Sequence, residues 1–253
     1  MSDPWFALRQ FTQARIAQGR AGCSLPTAAL LDFQLAHASA RDAVHLAWDI
    51  SGFAEDMEKL ALETLILATP VSSRTQYLQR PDLGRYLLQS SHELLATREN
   101  QAIDVALIVS NGLSSTAVDE HGLALLQAVV TAYAECGLQI GPICLVPNAR
   151  VALADEIGAL LDARLAVIIV GERPGLSAAD SLGAYLTYTP KIGNTDAERN
   201  CVSNIRPPAG LAYDAAAAKL AYLSGQALGR GFSGVMLKDD MPEQWLTGPG
   251  NPA

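Results

Sequence analysis

The chain has 253 residues, 49% of them apolar, which is enough for one large domain with a sizeable core. Its 18 Lys and Arg against 26 Asp and Glu give a net charge of −8, which argues against a nucleic-acid-binding protein because that role needs clustered cations. The sequence contains no uncharged apolar run of about 18 residues, so we expect no membrane span. The four cysteines are far apart, and the N-terminus lacks the pattern of a secretory signal. We therefore expect a protein of the reducing cytoplasm without a disulfide framework.

Residues 1–100 are predicted to form a mostly helical region. It opens with an amphipathic, helix-like stretch at 5–17, and Thr27 is the candidate N-cap of the next helix. A helix is predicted at 27–48, and residues 74–78 with a turn at 80–82 introduce another helix at 84–96. One short segment, 65–68, also fits a strand, and its assignment stays open.

Between residues 101 and 240, short apolar runs alternate with helical stretches. The predicted strands are at 102–109, 140–146, 165–170 and 184–189. The predicted helices are at 116–136, 153–163 and 213–228. This alternation indicates an α/β fold, with a mostly parallel sheet of Rossmann-like or flavodoxin-like type preceded by the helical N-terminal region. Residues 241–253 are predicted to form a flexible tail.

Candidate binding segments follow from the rule that ligands of open parallel sheets lie beyond the carboxyl ends of the strands. Three stretches rich in Gly, Pro, Ser or Asn are expected there, at 110–115, 171–177 and in a long polar loop at 195–207. Structural interpretations stand beside this one, since Gly112 and Gly175 would serve tight turns and Cys201 would be a small buried apolar residue. The length and polarity of the third stretch favour a binding role, and the ligand stays open.

The known catalytic fingerprints are missing from the sequence. No GxGxxG pattern opens the first helix, as it does in nicotinamide-binding domains, and the sequence lacks the P-loop and the nucleophile elbow of hydrolases. The four histidines share no ligand spacing with cysteines or carboxylates. We therefore assign no catalytic residue and no metal ligand within this chain.

Several segments resemble the small (light) subunit of ethanolamine ammonia-lyase. The most specific are GERPGLS at 171–177 and DAERNCVSNIRP at 196–207, since the two together are far more specific than either alone. The same resemblance extends to ARIAQGRAG, YLQRPDLGR, SNGLS, DEIG and DSLGAYLTY. It covers the chain from about Arg15 to Lys238.

The resemblance implies an enzyme that uses adenosylcobalamin to convert ethanolamine into acetaldehyde and ammonia by a radical mechanism. A TIM-barrel large subunit would hold the substrate, and the small subunit would close over the cofactor, in an assembly of six copies of each. The implied cofactor-binding residues are Val151, Glu172 and Cys201. Cobalamin has amides, a phosphate and a ribose that need hydrogen-bond partners, so we expect main-chain contacts at Val151 and Cys201 and a side-chain contact at Glu172. Arg206 or Arg173 is expected to face the phosphate.

The resemblance also implies a cobalamin that keeps its own base on cobalt. Many cobalamin-binding domains replace that base with the His of an Asp-x-His-x-x-Gly pattern. The nearest segment here is 119–124, where Ala124 stands in the glycine position and the whole segment falls inside a predicted helix.

Location and class leave alternatives open. Relatives that enter bacterial microcompartments often have an N-terminal extension ahead of the part that carries the resemblance, and this sequence has only about a dozen residues there. Free cytoplasm is therefore the expectation, and encapsulation stays open. The alternative to a lyase subunit is a non-catalytic Rossmann-like binding or scaffold subunit, which would explain the missing catalytic residues equally well.

Overall fold

Six strands form one mixed sheet in the computed structural model, which describes residues 3–58, 63–98 and 102–242. They are β1 (Thr64–Ile66), β2 (Val105–Ser110), β3 (Ile143–Leu145), β4 (Leu165–Gly171), β5 (Leu182–Tyr188) and β6 (Arg199–Ile205). The spatial order is β1-β3-β2-β4-β5-β6; β1 to β4 are mutually parallel, and β5 runs antiparallel to both of its neighbours. The mostly parallel α/β fold is thereby confirmed, and the open segment near residue 65 is a strand.

Seven α-helices accompany the sheet within the described ranges. They are α1 (Thr27–His45), α2 (Ile50–Met57), α3 (Arg74–Gln79), α4 (Gln89–Ala96), α5 (Ser115–Glu135), α6 (Leu153–Leu160) and α7 (Tyr213–Arg230). The Ser114 hydroxyl caps α5 by accepting from the Ala117 amide at 3.1 Å, and α7 ends at Gly231, whose φ of +79° is left-handed. No described helix is both long and apolar enough to cross a membrane.

The central strands bury both of their faces. On β2, Val105, Leu107 and Val109 belong to a core shared with α2, α5 and α7. The alternate residues Ala106 and Ile108 belong to a second core with α4 and α6. Burial on both faces explains why the sequence of this strand is continuously apolar rather than alternating.

The order of the central strands creates a crevice. The chain leaves β2 through α5 to β3 on one side, and it returns through α6 to β4 on the other side of β2. The connections after β2 and β4 therefore diverge at the carboxyl edge of the sheet. Open α/β sheets bind their ligands at such a point.

The prediction of a long loop at 195–207 is wrong. A short 3-10 turn at Asp196–Glu198 leads directly into β6, the edge strand. Val202 and Ile205 face the core, whereas Cys201, Ser203 and Asn204 are exposed. An edge strand with one exposed face has a polar composition, which is why the segment resembles a loop in sequence.

Two helix predictions near the N-terminus are also wrong in their bounds. The amphipathic stretch at 5–17 forms only a 3-10 helix, Phe6–Phe11, because none of its residues is buried and amphipathicity alone does not hold a helix. Thr27 is the first residue of α1, after the N-cap Pro26, and it makes no capping hydrogen bond. α1 ends at His45, since Asp49 caps a new helix, α2.

The predicted helix at 84–96 begins later than expected. A 3-10 turn at Leu83–Arg85 precedes it, and α4 itself starts at Gln89. The Gly84 carbonyl accepts from the Arg150 amide at 2.7 Å, which diverts this backbone from helical pairing. In the predicted tail 241–253, residues 243–253 lie outside the described residues.

Candidate functional site

An open cleft of about 390 Å³ lies at the carboxyl edge of the parallel strands. Residues 112–113 after β2, 149–151 after β3 and 170–173 around the end of β4 line it, together with Tyr77 and Tyr185. This volume is near the lower end of the range for ligand pockets. The cleft therefore occupies the crevice that the strand order creates.

Two glycines bring the loops after β2 and β4 into backbone contact. Gly112 has a φ of +48°, and a Cβ there would lie 2.5 Å from the Gly171 carbonyl oxygen. A Cβ on Gly171 would lie 2.1 Å from the Ser114 carbonyl oxygen. Only glycine allows this approach, so both positions set the shape of the cleft floor.

Gly171→Ala is expected to lower the free energy of unfolding by about 1–3 kcal/mol, because the added methyl group meets backbone carbonyls that cannot rotate away. Gly225→Ala on α7 is the matched control, since nothing lies within 4 Å of its Cβ position. That change should stabilise the chain by about 0.5–1 kcal/mol. Urea unfolding measures both variants, and an equal gain in stability for the two would contradict the packing argument.

Polar side chains after β2 hold the neighbouring loops together. The Ser110 hydroxyl accepts from the Ala149 amide at 3.0 Å, and the Asn111 side-chain oxygen accepts from the Asn148 amide at 2.7 Å. Arg74 donates to the Asn148 side chain at 3.0 Å. The side chains of Ser110 and Asn111 therefore position the walls of the cleft.

The segment after β3 contributes Val151 to the cleft. The Tyr77 hydroxyl donates to the Ala149 carbonyl at 3.0 Å, and the Arg150 guanidinium lies 4.2 Å from the centre of the Tyr77 ring. The Val151 carbonyl accepts from the Ala154 amide at 3.1 Å, whereas the Val151 N–H donates to no residue in the described part of the chain. A main-chain contact at Val151 would therefore use its N–H.

Glu172 stands at the end of β4 with one carboxylate oxygen engaged. Its Oε2 accepts from the Ser181 hydroxyl at 2.6 Å and from the Asn204 amide at 3.3 Å. Its Oε1 has no hydrogen-bond partner among the described residues. Gly183 leaves room beside this oxygen, because a Cβ on residue 183 would lie only 2.8 Å from Oε1. Glu172 is thus oriented by two strands and retains a free acceptor.

Cys201 lies outside the cleft lining, one strand beyond it. It pairs across β5 and β6 with Tyr185, which does line the cleft. Cys201 is exposed as a residue, yet burial raises the pKa of its thiol, and the charge of Glu172 adds to the rise. Burial likewise raises the pKa of Tyr185, helped by Cys201. Both groups therefore stay protonated at neutral pH and serve as hydrogen-bonding groups rather than nucleophiles.

Alkylation of Cys201 by iodoacetamide is expected to be slower than that of free cysteine in the same solution at pH 7.5. A raised pKa leaves less thiolate at this pH, and only the thiolate reacts. The rate should still rise at a pH where free cysteine has levelled off. Mass spectrometry of the peptide that contains Cys201 measures the rate, and faster alkylation than free cysteine would contradict the raised pKa.

The two arginines expected near a phosphate differ in their availability. Arg206 donates to Asp180 at 2.9 Å, and His121 lies 3.3 Å from the same carboxylate. Burial would raise the pKa of Asp180, but hydrogen bonds from His121 and Arg206 outweigh it and hold that pKa below its usual value. Arg173 is exposed at the cleft, and it is therefore the cation available to an anionic ligand group.

The DEIG segment anchors the site rather than lining it. Asp155 of α6 forms a buried ion pair with Arg199 at the start of β6, with an oxygen–nitrogen distance of 2.6 Å. Its neighbour Glu156 accepts from the Leu87 amide at 2.9 Å. These contacts fasten the edge strand and the segment before α4 to the body of the fold.

Of the three predicted cofactor residues, Val151 and Glu172 meet at one cleft, and Cys201 reaches it only through Tyr185. Their role in cofactor binding stays a prediction. Sequence reasoning missed Tyr185 and Arg150. Tyr185 lies in the segment DSLGAYLTY, and correct pairing of that segment with 199–205 would have placed it beside Cys201.

The fold and the cleft define an α/β domain with an open cleft at the carboxyl edge of its sheet. Residues 2–238 match the family described as ethanolamine ammonia-lyase light chain. The chain therefore belongs to the ethanolamine ammonia-lyase light chain family, and the resemblance seen in the sequence is confirmed.

Individual relatives agree with the family match. The ethanolamine ammonia-lyase small subunit of Pseudomonas putida (strain KT2440) is 52% identical over 241 residues, which cover 94% of this chain and 88% of that protein. The small subunit of Ralstonia nicotianae is 51% identical over 240 residues, with coverages of 94% and 88%. The small subunit of Azotobacter vinelandii is 49% identical over 252 residues, with coverages of 98% and 93%.

Proposed function

We propose that this small subunit works with adenosylcobalamin and a TIM-barrel large subunit to convert ethanolamine into acetaldehyde and ammonia. The observation that supports this proposal is the convergence of Val151, Glu172 and Tyr185 on one cleft, with Cys201 paired to Tyr185 across β5 and β6. An assembly of six copies of each subunit belongs to the same proposal.

The chemistry of the cleft fits an edge of cobalamin. The amides, ribose and phosphate of that cofactor need donors, acceptors and a cation. The described residues offer the free N–H of Val151, the free Oε1 of Glu172, the hydroxyl of Tyr185 and the guanidinium of Arg173. The backbone at Gly112 is also open to close approach.

The size of the cleft supports a partial role for this chain. A space of about 390 Å³ accommodates only part of a corrinoid, and in this proposal the large subunit covers the remainder. Bound adenosylcobalamin supplies the radical reactivity of the enzyme. The residues of this chain hold and orient one edge of the cofactor, and they keep water from the reacting centre.

The base-on state of the cofactor is part of the proposal. His121 lies within α5, with Nδ1 2.7 Å from the Tyr213 hydroxyl and Nε2 3.3 Å from Asp180, so both ring nitrogens already have partners. Labelling the protein with heavy nitrogen should leave the cob(II)alamin EPR splitting unchanged. A changed splitting would identify a protein histidine as the cobalt ligand.

Reconstitution tests the proposed reaction. The chain co-expressed with a large subunit should form acetaldehyde from ethanolamine only when adenosylcobalamin is added, and each subunit alone should be inactive. An associated pair without cofactor-dependent turnover would favour the alternative, a non-catalytic binding or scaffold subunit. Turnover by the large subunit alone would contradict the role given to this chain.

A further inference from the structure

We infer that the exposed apolar face of α1 is the surface on which the large subunit docks; this inference rests on the proposed function. The face is defined by Leu30, Leu31 and Leu35, whose exposed fractions are 42%, 58% and 69%. Three large apolar side chains within six residues of one helix are an interaction surface rather than a solvated one.

The packing of α1 within this chain is weak. Ala43 is its one buried residue, and other contacts with the body run through half-buried small residues such as Ala36 and Ala40. Helices draw most of their stability from tertiary burial of an apolar face. Leu30, Leu31 and Leu35 lie instead on the open side, where only a partner can bury them.

The position of α1 links this face to the cleft. At its C-terminal end, Arg74 donates to the Val44 carbonyl at 2.6 Å, and Ser115 donates to the Leu46 carbonyl at 2.7 Å. Near its other end, Arg15 pairs with Asp32 at 3.4 Å and reaches the Leu176 carbonyl at 3.5 Å. α1 is therefore attached to the loops after both β2 and β4, which form the cleft.

Continuity and charge identify the occupant. A partner that covers the corrinoid beyond the cleft lies against these same loops, so it meets α1 as well. A second copy of this chain is disfavoured because each copy has a net charge of −8, and like charges oppose association. The large subunit is thus the partner that fits both the apolar face and the open cleft.

A pair of double variants tests the inference. Leu31→Glu with Leu35→Glu charges two neighbours on one side of α1, and glutamate preserves helix propensity. The control is Val235→Glu with Met236→Glu, which charges side chains that are 62% and 72% exposed. The control lies at the opposite edge of the sheet, since the adjacent Ser233 accepts from the Tyr188 amide beside the start of β4.

The measured quantity is the dissociation constant of each variant for the purified large subunit, with circular dichroism of the free chain as the folding check. We expect the α1 variant to bind at least about tenfold more weakly and the control to stay within about twofold of the unmodified chain. Equal affinities for the two variants would overturn the docking surface and leave the proposed function intact. An α1 variant that only dissociates a dimer of this chain would overturn the choice of occupant. Failure of the unmodified chain to bind the large subunit would overturn the proposed function itself.

Discussion

Replacing Asp155 with Ala is expected to lower the free energy of unfolding by about 3–5 kcal/mol. The Asp155 and Arg199 side chains are only 2% and 3% exposed, and their charged atoms are 2.6 Å apart. Arg199 also donates to the Thr187 hydroxyl at 3.0 Å and to the Asn194 carbonyl at 2.8 Å. Loss of the Asp155 carboxylate leaves the buried guanidinium with two neutral partners and one anion, Asp196, which lies 3.5 Å away and is fully exposed to solvent. A solvated carboxylate compensates a buried charge only weakly, so this state is unfavourable.

Urea unfolding of three variants distinguishes the cost of an unpaired buried charge from the cost of losing an exposed ion pair. Asp82→Ala breaks the exposed pair with Arg80 and should leave stability nearly unchanged. Combining Asp155→Leu with Arg199→Met removes both buried charges and should recover most of the loss. A small effect of Asp155→Ala, similar to that of Asp82→Ala, would contradict a buried anchor for β6.

Glu172→Ala is expected to weaken adenosylcobalamin binding by the two-subunit complex by roughly 5- to 150-fold, which corresponds to about 1–3 kcal/mol. The physical reason is that a cofactor donor facing Oε1 loses its acceptor inside a closed site. The two contacts made by Oε2, with Ser181 and with the Asn204 amide, are local, so the chain should remain folded.

Two further variants define what the Glu172 result means. Glu172→Gln keeps an acceptor oxygen and should lose less affinity than the alanine variant. Glu135→Gln, at the exposed end of α5, removes one negative charge far from the cleft and should bind the cofactor as the unmodified chain does. Unchanged affinity in Glu172→Ala would remove this residue from the site.

The parts of the fold that the sequence predicts well are those whose environment is uniform. β2 and β4 are buried on both faces, so their sequences are unbroken apolar runs and their positions were predicted closely. β6 was missed because Cys201, Ser203 and Asn204 face outward and make the strand polar. α1 ends earlier than predicted because Asp49 caps a new helix, α2. The hydrophobic periodicity of the sequence does not reveal this break between the two helices.

The site was predictable only in part for a similar reason. The rule that ligands lie beyond the carboxyl ends of parallel strands predicts that the segments after β2 and β4 lie at one edge, and the structure confirms that placement. The pairing of Asp155 with Arg199 spans 44 residues and depends on the three-dimensional fold, so no sequence pattern reveals it. Tyr185 belongs to the cleft only because β5 turns back antiparallel beside β4.

Amide hydrogen exchange on the complex of both subunits, with and without adenosylcobalamin, tests most directly whether this cleft holds the cofactor. We expect the cofactor to slow exchange at 149–151, 171–173 and 199–205, and to leave 233–237 at the opposite edge unchanged. The N–H of Val151 should show the clearest protection, because it has no partner within the described chain. Tight cofactor binding without slower exchange at these three segments would contradict the proposed site.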